Sequence, residues 1–239
     1  MIMVHSDNQG LVLPPKVAQT QIVVIPIFKK GDDVDKLRAT AKEITAKLVA
    51  AGFKVECDDS DQKNPGFKYN YWEQRGTPVR LELGKMDLDK GEVRCVVRHS
   101  GNKKQVKQAD ISKEMHEELE QIHKDMYQKA LDARLQHMLE VDNWEDFMKA
   151  VSARNICMAP WCDTKACEEA AKERSKAESL AASISPDAVA EEAMLTGAAK
   201  TLCIPFEASG LQKPIPAGTK CFTGCGKDAK VRALWGRSY

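Results

Sequence analysis

Long apolar runs, a secretion signal, clustered histidines and net charge are all missing from this 239-residue chain, and each absence removes a class of function. No stretch approaches the roughly 20 apolar residues that a membrane helix needs, so a soluble chain without a membrane partner is expected. The N-terminal "MIMVHSDNQG" lacks the basic region, apolar core and small-residue cleavage site of a signal peptide. It reads instead as the end of a buried strand, with Met1 a cut point inside a longer protein. The five His are scattered without ligand spacing; His5, among them, has no partner in view, which argues against a histidine-based metal or acid–base centre. A net charge of +1 argues against coating the whole surface with a polyanion. Aromatic residues are scarce at 6%, and no internal repeat is visible.

The near-zero charge conceals an asymmetry. Residues 62–110 carry 11 basic and 6 acidic side chains, net +5, whereas residues 112–200 carry 11 basic and 18 acidic, net −7. The bland reading is two solvated faces; the sharper one is a polyanion site confined to the basic segment. "QIVVIPI" (21–27) is a β-branched run suited to a strand buried on both faces. Asp33 then caps a helix with Leu37, Ala41, Ile44 and Leu48 at helical spacing, and Gly52 stops it before "FKVEC", where Phe53, Val55 and Cys57 alternate. "PVRLELG" places Val79, Leu81 and Leu83 on one strand face, and "EVRCVVR" pairs through "SGNKK" with a returning strand. These elements predict a compact α/β domain with a mixed sheet over residues 17–110.

Ser112 is a candidate cap for a connecting helix over 111–140, with Met115, Leu119, Ile122 and Met126 as its buried stripe. A smaller α/β domain follows over 141–239. Asp142 or Asn143 caps its first helix, "NICMAPWC" and "AKTLCIPFE" read as strands, and the Ala-, Ser- and Glu-rich 176–197 reads as a mobile insertion. Six of the eight Cys follow residue 150. Cys162 and Cys167 bracket four residues, and Cys221 and Cys225 bracket three, with Gly224 and Gly226 permitting a tight knuckle. Four thiolates in two pairs suit a closed structural zinc site, which would staple a domain with little core of its own; buried free thiols are the alternative. Cys57, Cys95 and Cys203 read as small core residues, and Cys157 is a spare thiol able to replace one of the four. No Cys has a context that suggests an activated nucleophile.

Residues 64–79, "NPGFKYNYWEQRGTPV", concentrate the scarce aromatics among basic side chains. If this stretch is helical after Pro65, Tyr69 and Glu73 share a face one turn apart. A ring there can stack an unstacked base, and a carboxylate one turn on can accept the two donors of a guanine edge. Arg80, opposite Val79 and Leu81, can donate to guanine or phosphate, or form no more than a surface ion pair with Glu82. Trp72 and Phe67 read as core.

"HSDNQGLVLPPKVA", "NPGFKYNYWEQRGTPVRLELG", "AKTLCIPFE" and "GRSY", in this order, resemble the C-terminal half of a eukaryotic or archaeal-type prolyl-tRNA synthetase across essentially the whole chain. The resemblance implies that residues 1–16 are a remnant of the class II catalytic core, followed by an anticodon-binding α/β domain and a C-terminal domain that often holds zinc on four Cys. ATP and Mg would belong to the missing catalytic domain, so no catalytic residue is expected here. Proline tRNA, the parent enzyme's own catalytic domain and a second copy joined through that core are the implied partners. The family positions matching Tyr69, Glu73, Arg80 and Asp87 contact the anticodon, as does a basic hairpin residue that the sequence leaves open among Arg98, Lys103 and Lys104. Where the family commonly has Gly-Pro-basic-Asp, this chain reads "GKMD", which makes Lys85 the candidate for the displaced basic role. Tyr239 matches a terminal Tyr that approaches the catalytic core. The competing class is a zinc-stabilised interaction module of a multi-synthetase assembly, which leaves the aromatic and basic segment without a purpose.

Overall fold

A computed structural model describes residues 1–183 and 197–237. Tyr239 and most of the 176–197 segment lie outside the described residues. The chain divides into two compact units, Met1–Leu131 and Asp132–Tyr239.

The first unit runs α1 (Ile2–His5), β1 (Ile22–Pro26), α2 (Val34–Ala50), β2 (Val55–Cys57), α3 (Pro65–Gln74), β3 (Val79–Leu83), α4 (Lys85–Lys90), β4 (Glu92–Val97), β5 (Lys103–Lys107) and α5 (Ile111–Gln136), whose last turn passes into the second unit. Its sheet has the order β2-β1-β3-β4-β5, with β1 parallel to β2 and β3, and β3, β4 and β5 successively antiparallel. Strand alternation sorts the side chains into two faces. On one face Ile22, Val24, Val79, Leu81, Leu83, Cys95 and Val106 pack with Leu37, Ala41, Ile44 and Leu48 of α2 and with Ile111, Met115, Leu119, Ile122 and Met126 of α5. Burial of each large aliphatic side chain contributes about 1.5–3 kcal/mol, so this stripe is what fixes the sheet's register.

The opposite face carries a smaller cluster, Val23 and Ile25 under Trp72 and Tyr69 of α3. Asn64 starts α3 by accepting from the Phe67 N–H, and Pro65 sits in the first turn, where a missing N–H has no cost. Asp58 anchors the helix: its carboxylate accepts from Trp72 Nε1 at 3.0 Å and pairs with the buried Lys68 ammonium at 3.2 Å. Toward β4 and β5 this face has no large apolar side chain beyond Val96; it presents Arg80, Glu82, Arg94, Lys103 and Gln105.

Several sequence expectations change. Met1–Gly10 is no strand: one helical turn, Ile2–His5, leaves Met1, Ile2, Met3 and Val4 exposed, because among the described residues no strand edge pairs with it. Phe67 is 51% exposed, not core. Ser112 lies inside α5, which starts at Ile111. Glu82 and Arg80 are buried rather than a surface pair, and "GKMD" opens the short helix α4, capped by Asp87 accepting from the Gly84 N–H.

The second unit contains β6 (Met138–Glu140), α6 (Trp144–Ser152), β7 (Ile156–Trp161), α7 (Lys165–Ser183), β8 (Ala199–Cys203) and β9 (Val231–Arg237). Its sheet order is β6-β7-β9-β8, with β6 parallel to β7 and the other pairs antiparallel. Asn143 caps α6 by accepting from the Asp146 N–H. The connecting helix therefore ends at Gln136 and a short strand follows it, which the helical periodicity did not signal. Lys176–Ser183, expected as part of an insertion, are the end of α7. Nor is the core poor. Trp144, Phe147, Phe222, Trp161 and Trp235 form one aromatic cluster, with ring centroids 4.9 Å apart for Phe147 and Phe222 and 5.1 Å for Phe222 and Trp235. Among the described residues no helix is long and apolar enough to cross a membrane.

Candidate functional site

The polar face of the first sheet gathers most of the residues singled out from sequence, and it begins at Arg80. Its guanidinium donates from Nη1 to Glu73 Oε1 at 2.6 Å and from Nε to Glu82 Oε1 at 2.9 Å, and lies 4.1 Å from the centroid of the Tyr69 ring. Helix α3 and strand β3 thus deliver Tyr69, Glu73 and Arg80 to one spot. Two carboxylates for one buried cation leave Glu73, Glu82 and Arg80 together with one formal negative charge in excess. Burial and the neighbouring Glu82 charge push the Tyr69 hydroxyl up to about 12, so it remains a neutral donor. One face of its ring is covered by Arg80, which limits stacking of a base to the remaining surface. Two Arg80 N–H groups are already committed, one to Glu73 and one to Glu82, and the Glu73 side chain so held is 29% exposed.

Glu73 and Arg80 line a cleft of about 150 Å³ with Gln9, Trp72, Thr77, Arg98 and Lys103. Gly76, at the turn out of α3, is required here: its φ is 74°, and a Cβ would meet Leu11 Cβ and Leu13 Cγ at 2.8 Å. The close approach lets Leu11 N donate to Gln74 O, so the N-terminal segment walls the cleft.

The three hairpin candidates separate. Lys103 is exposed on the Glu73 side and lines the cleft. Lys104, one residue on, points to the other face by strand alternation, where its ammonium meets Glu118 at 2.8 Å and Glu114 at 3.0 Å. Despite desolvation, these two carboxylates hold the Lys104 pKa above the ordinary lysine value. Arg98 is buried and engaged: it grips Asp7 in a two-pronged pair at 2.7 and 2.8 Å and donates from Nε to Glu73 O at 3.2 Å. Its hydrogen bond holds the Asp7 carboxyl down at about 2.

Lys85 and Asp87 fall in a second cleft on the same face, of about 340 Å³, with Ile27, Lys29, Glu82, Met86 and Arg94 among its walls. Asp87 is partly committed, since Oδ2 caps α4 and Oδ1 accepts from Gln105 Nε2 at 3.2 Å. Arg80 lines the first cleft and Glu82 the second, so their ion pair stands between the two. Sequence reasoning missed Arg94, whose only signal was its alternation with Val93 and Cys95, and it missed the exposed Phe67 and Tyr71, each under a cation: Lys63 at 4.9 Å and Arg75 at 4.2 Å.

In the second unit, Cys162, Cys167, Cys221 and Cys225 converge so that all four sulfurs lie within 4.8 Å of one another, and they could hold a metal ion. Cys162 leaves the end of β7, Cys167 opens α7, and the other two sit on the knuckle before β9. Gly224 and Gly226 have φ of 78° and 79°, as that tight turn demands. Cys167 and Cys221 Sγ are 3.7 Å apart, and Cys162 and Cys225 Sγ 3.8 Å, far beyond a disulfide length. Burial pushes the Cys167 thiol up to about 12; at Cys225, desolvation is outweighed by donors including the Lys227 N–H, which hold it at about 6. Cys157 is not part of the group but a buried core residue, and Cys203 is exposed rather than core.

Residues 21–118 match the family model described as anticodon binding domain, and residues 144–239 match prolyl-tRNA synthetase, C-terminal. Over 239 residues, all of this chain, it is 39% identical to the cytoplasmic proline–tRNA ligase of Arabidopsis thaliana, of which it covers 41%. It is 40% identical to the proline–tRNA ligase of Encephalitozoon cuniculi over 99% of this chain and 45% of that protein. The bifunctional glutamate/proline–tRNA ligase of Drosophila melanogaster is 38% identical over the whole chain, which covers 14% of it. The chain thus spans less than half the length of these relatives.

Proposed function

The chain belongs to the prolyl-tRNA synthetase family through its anticodon-binding and C-terminal domains, and from that premise we propose that it recognises the anticodon of proline tRNA as part of an enzyme that ligates proline to that tRNA. ATP and Mg chemistry, and joining of two copies, would belong to a catalytic domain of that enzyme, working in the cytoplasm like the Arabidopsis relative.

The observation that carries this reading is Glu73, held by Arg80 at 2.6 Å on the rim of a cleft that also contains Lys103. Proline anticodons end in two guanines, and guanine presents two donors on its Watson–Crick edge. A carboxylate whose rotamer is fixed before binding can accept them without the entropic cost of ordering it. Lys103 supplies charge for the backbone, which gives affinity but no sequence information. Tyr69 supports Arg80 from beneath, Lys85 and Asp87 extend the surface along β3 and α4, and Arg98 and Lys104 act as braces rather than as readers. Tyr239 remains the proposed contact with the catalytic core.

The four thiols fit zinc. A Zn–S bond of about 2.3 Å implies tetrahedral edges of about 3.8 Å, the separation seen for two of the sulfur pairs. Four protein ligands leave no open position, so the metal would be structural, fastening the β7–α7 turn to the knuckle.

Filter binding tests the reading. Wild-type chain should retain proline tRNA better than the same tRNA with either anticodon guanine changed to adenine, by about 1–3 kcal/mol per change. Equal retention of all three would overturn it.

A further inference from the structure

The second cleft holds four cations, Lys29, Lys85, Lys90 and Arg94, and three carboxylates. The formal charges nearly cancel, but the two signs are not equally available. Asp32 accepts from the Lys29 N–H, Glu82 is drawn to Arg80, and Asp87 caps α4 while accepting from Gln105. All four cations are exposed, and among the described residues none makes an ion pair within 4 Å. Arg94 is the clearest case. It stands directly across the sheet from Glu82 on one side and Gln105 on the other, in the register where an opposite-charge pair forms readily, yet Glu82 faces Arg80 instead.

A planar guanidinium kept free in a cleft about 340 Å³ in volume suits a phosphate, which it can meet with two parallel hydrogen bonds. The cleft lies on the same sheet face as Glu73, displaced by two residues of β3, about 6.6 Å of strand rise. One nucleotide of a splayed single strand can bridge such a gap. Met86, 72% exposed at the cleft's edge, offers an apolar surface to a sugar or base without selecting among bases.

We propose that this cleft is a phosphodiester subsite for single-stranded RNA, in which Arg94, assisted by Lys29 and Lys85, grips the backbone beside the bases read at Glu73. The proposal rests on the anticodon-recognition reading and assigns to the cleft a grip that is blind to sequence.

The experiment uses the whole chain and a proline-tRNA anticodon stem-loop, with its guanine-to-adenine variants, titrated from 50 to about 200 mM salt. Arg94→Gln should weaken binding about 3–10-fold at the low-salt end and reduce the slope of log K against log salt by about 1, with the guanine preference kept. Arg94→Lys should restore most of the slope. Since Arg94 is exposed and without an ion pair, the substitution should leave the melting temperature unchanged; if it does not, Lys29→Gln carries the same expectation. An unchanged affinity and slope, with wild type still preferring guanine, overturns this subsite and leaves the anticodon reading standing. Loss of guanine preference in Arg94→Gln also overturns it, because Arg94 would then read a base. A wild-type chain without guanine preference overturns both readings.

Discussion

Arg80 reaches two carboxylates and one aromatic ring at once, and no other side chain could. A lysine at this position would meet Glu73 or Glu82 as a point charge but could not bridge both while lying flat on Tyr69. Arg80→Lys should therefore reduce guanine discrimination nearly as far as loss of Glu73 does, while the nonspecific, salt-sensitive part of RNA binding stays within about twofold. Fluorescence anisotropy with guanine and adenine stem-loops would show this; preserved discrimination would mean that Arg80 does not position Glu73. A second residue-scale expectation concerns Asp7. Its folded pKa, about 2, lies below its ordinary value, so the stability it contributes is present above pH 4 and is lost as pH falls toward 2. Hydrogen exchange of the Gln9 and Gly10 amides should accelerate over that window relative to β1, and Asp7→Asn should abolish the pH dependence; if the variant keeps it, the Arg98 pair is not its source. Individual roles were only partly legible in the sequence. The Tyr69–Glu73 spacing put them on one helix face and alternation put Arg80 opposite Val79, but that Arg80 belongs to Glu73 depends on how α3 docks on β3, a nonlocal contact. Phe67 was misplaced for the same reason: helical spacing gives a face, not which face meets the sheet.

The hairpin formed by β4 and β5 turns a one-residue difference into two functions. Lys103 faces the cleft, whereas Lys104 faces the carboxylates of α5. Lys103→Ala should weaken RNA binding severalfold and lower the salt slope by about 1 without changing thermal stability. Lys104→Ala should leave RNA binding alone and cost about 0.5–1 kcal/mol of stability, because its pairs are partly exposed. The reverse pattern would mean that the register of this hairpin is wrong. Elements with a strong apolar period were readable in advance, α2 and α5 from their stripes and β1 from its β-branched run. Two short ones were not. Helix α4 is six residues long and rests on the Gly84–Asp87 cap rather than on a periodic face. Strand β6 is three residues long and follows directly on a helix pattern that masks it.

At the scale of the molecule, the two compact units have different sources of stability, one a continuous aliphatic core and the other an aromatic cluster beside four converging thiols. If those thiols hold zinc, protein purified without chelator should contain about one zinc per chain. Stripping the metal should then lower the melting of the second unit, seen in the near-ultraviolet signal of its Trp144, Trp161 and Trp235 cluster, and leave the first unit's transition in place. Less than one-third zinc per chain, with unchanged melting after chelation, would reduce the four Cys to packing. Because the aromatic core is more substantial than composition suggested, chelation should loosen this unit rather than unfold it. The pairing of 162–167 with 221–225 was legible from spacing and glycines. The exclusion of Cys157 was not, since both it and Cys162 belong to the one pattern "NICMAPWC", whereas in the fold Cys157 is near the start of β7 and Cys162 just past its end, about 16 Å further along the strand. The central claim, that Glu73 reads guanine, is tested most directly by a double-mutant cycle in which wild-type and Glu73→Ala chains each bind stem-loops carrying guanine or adenine at the two anticodon positions. A coupling of about 1–3 kcal/mol between Glu73 and at least one guanine is predicted; coupling indistinguishable from zero at both would contradict the account.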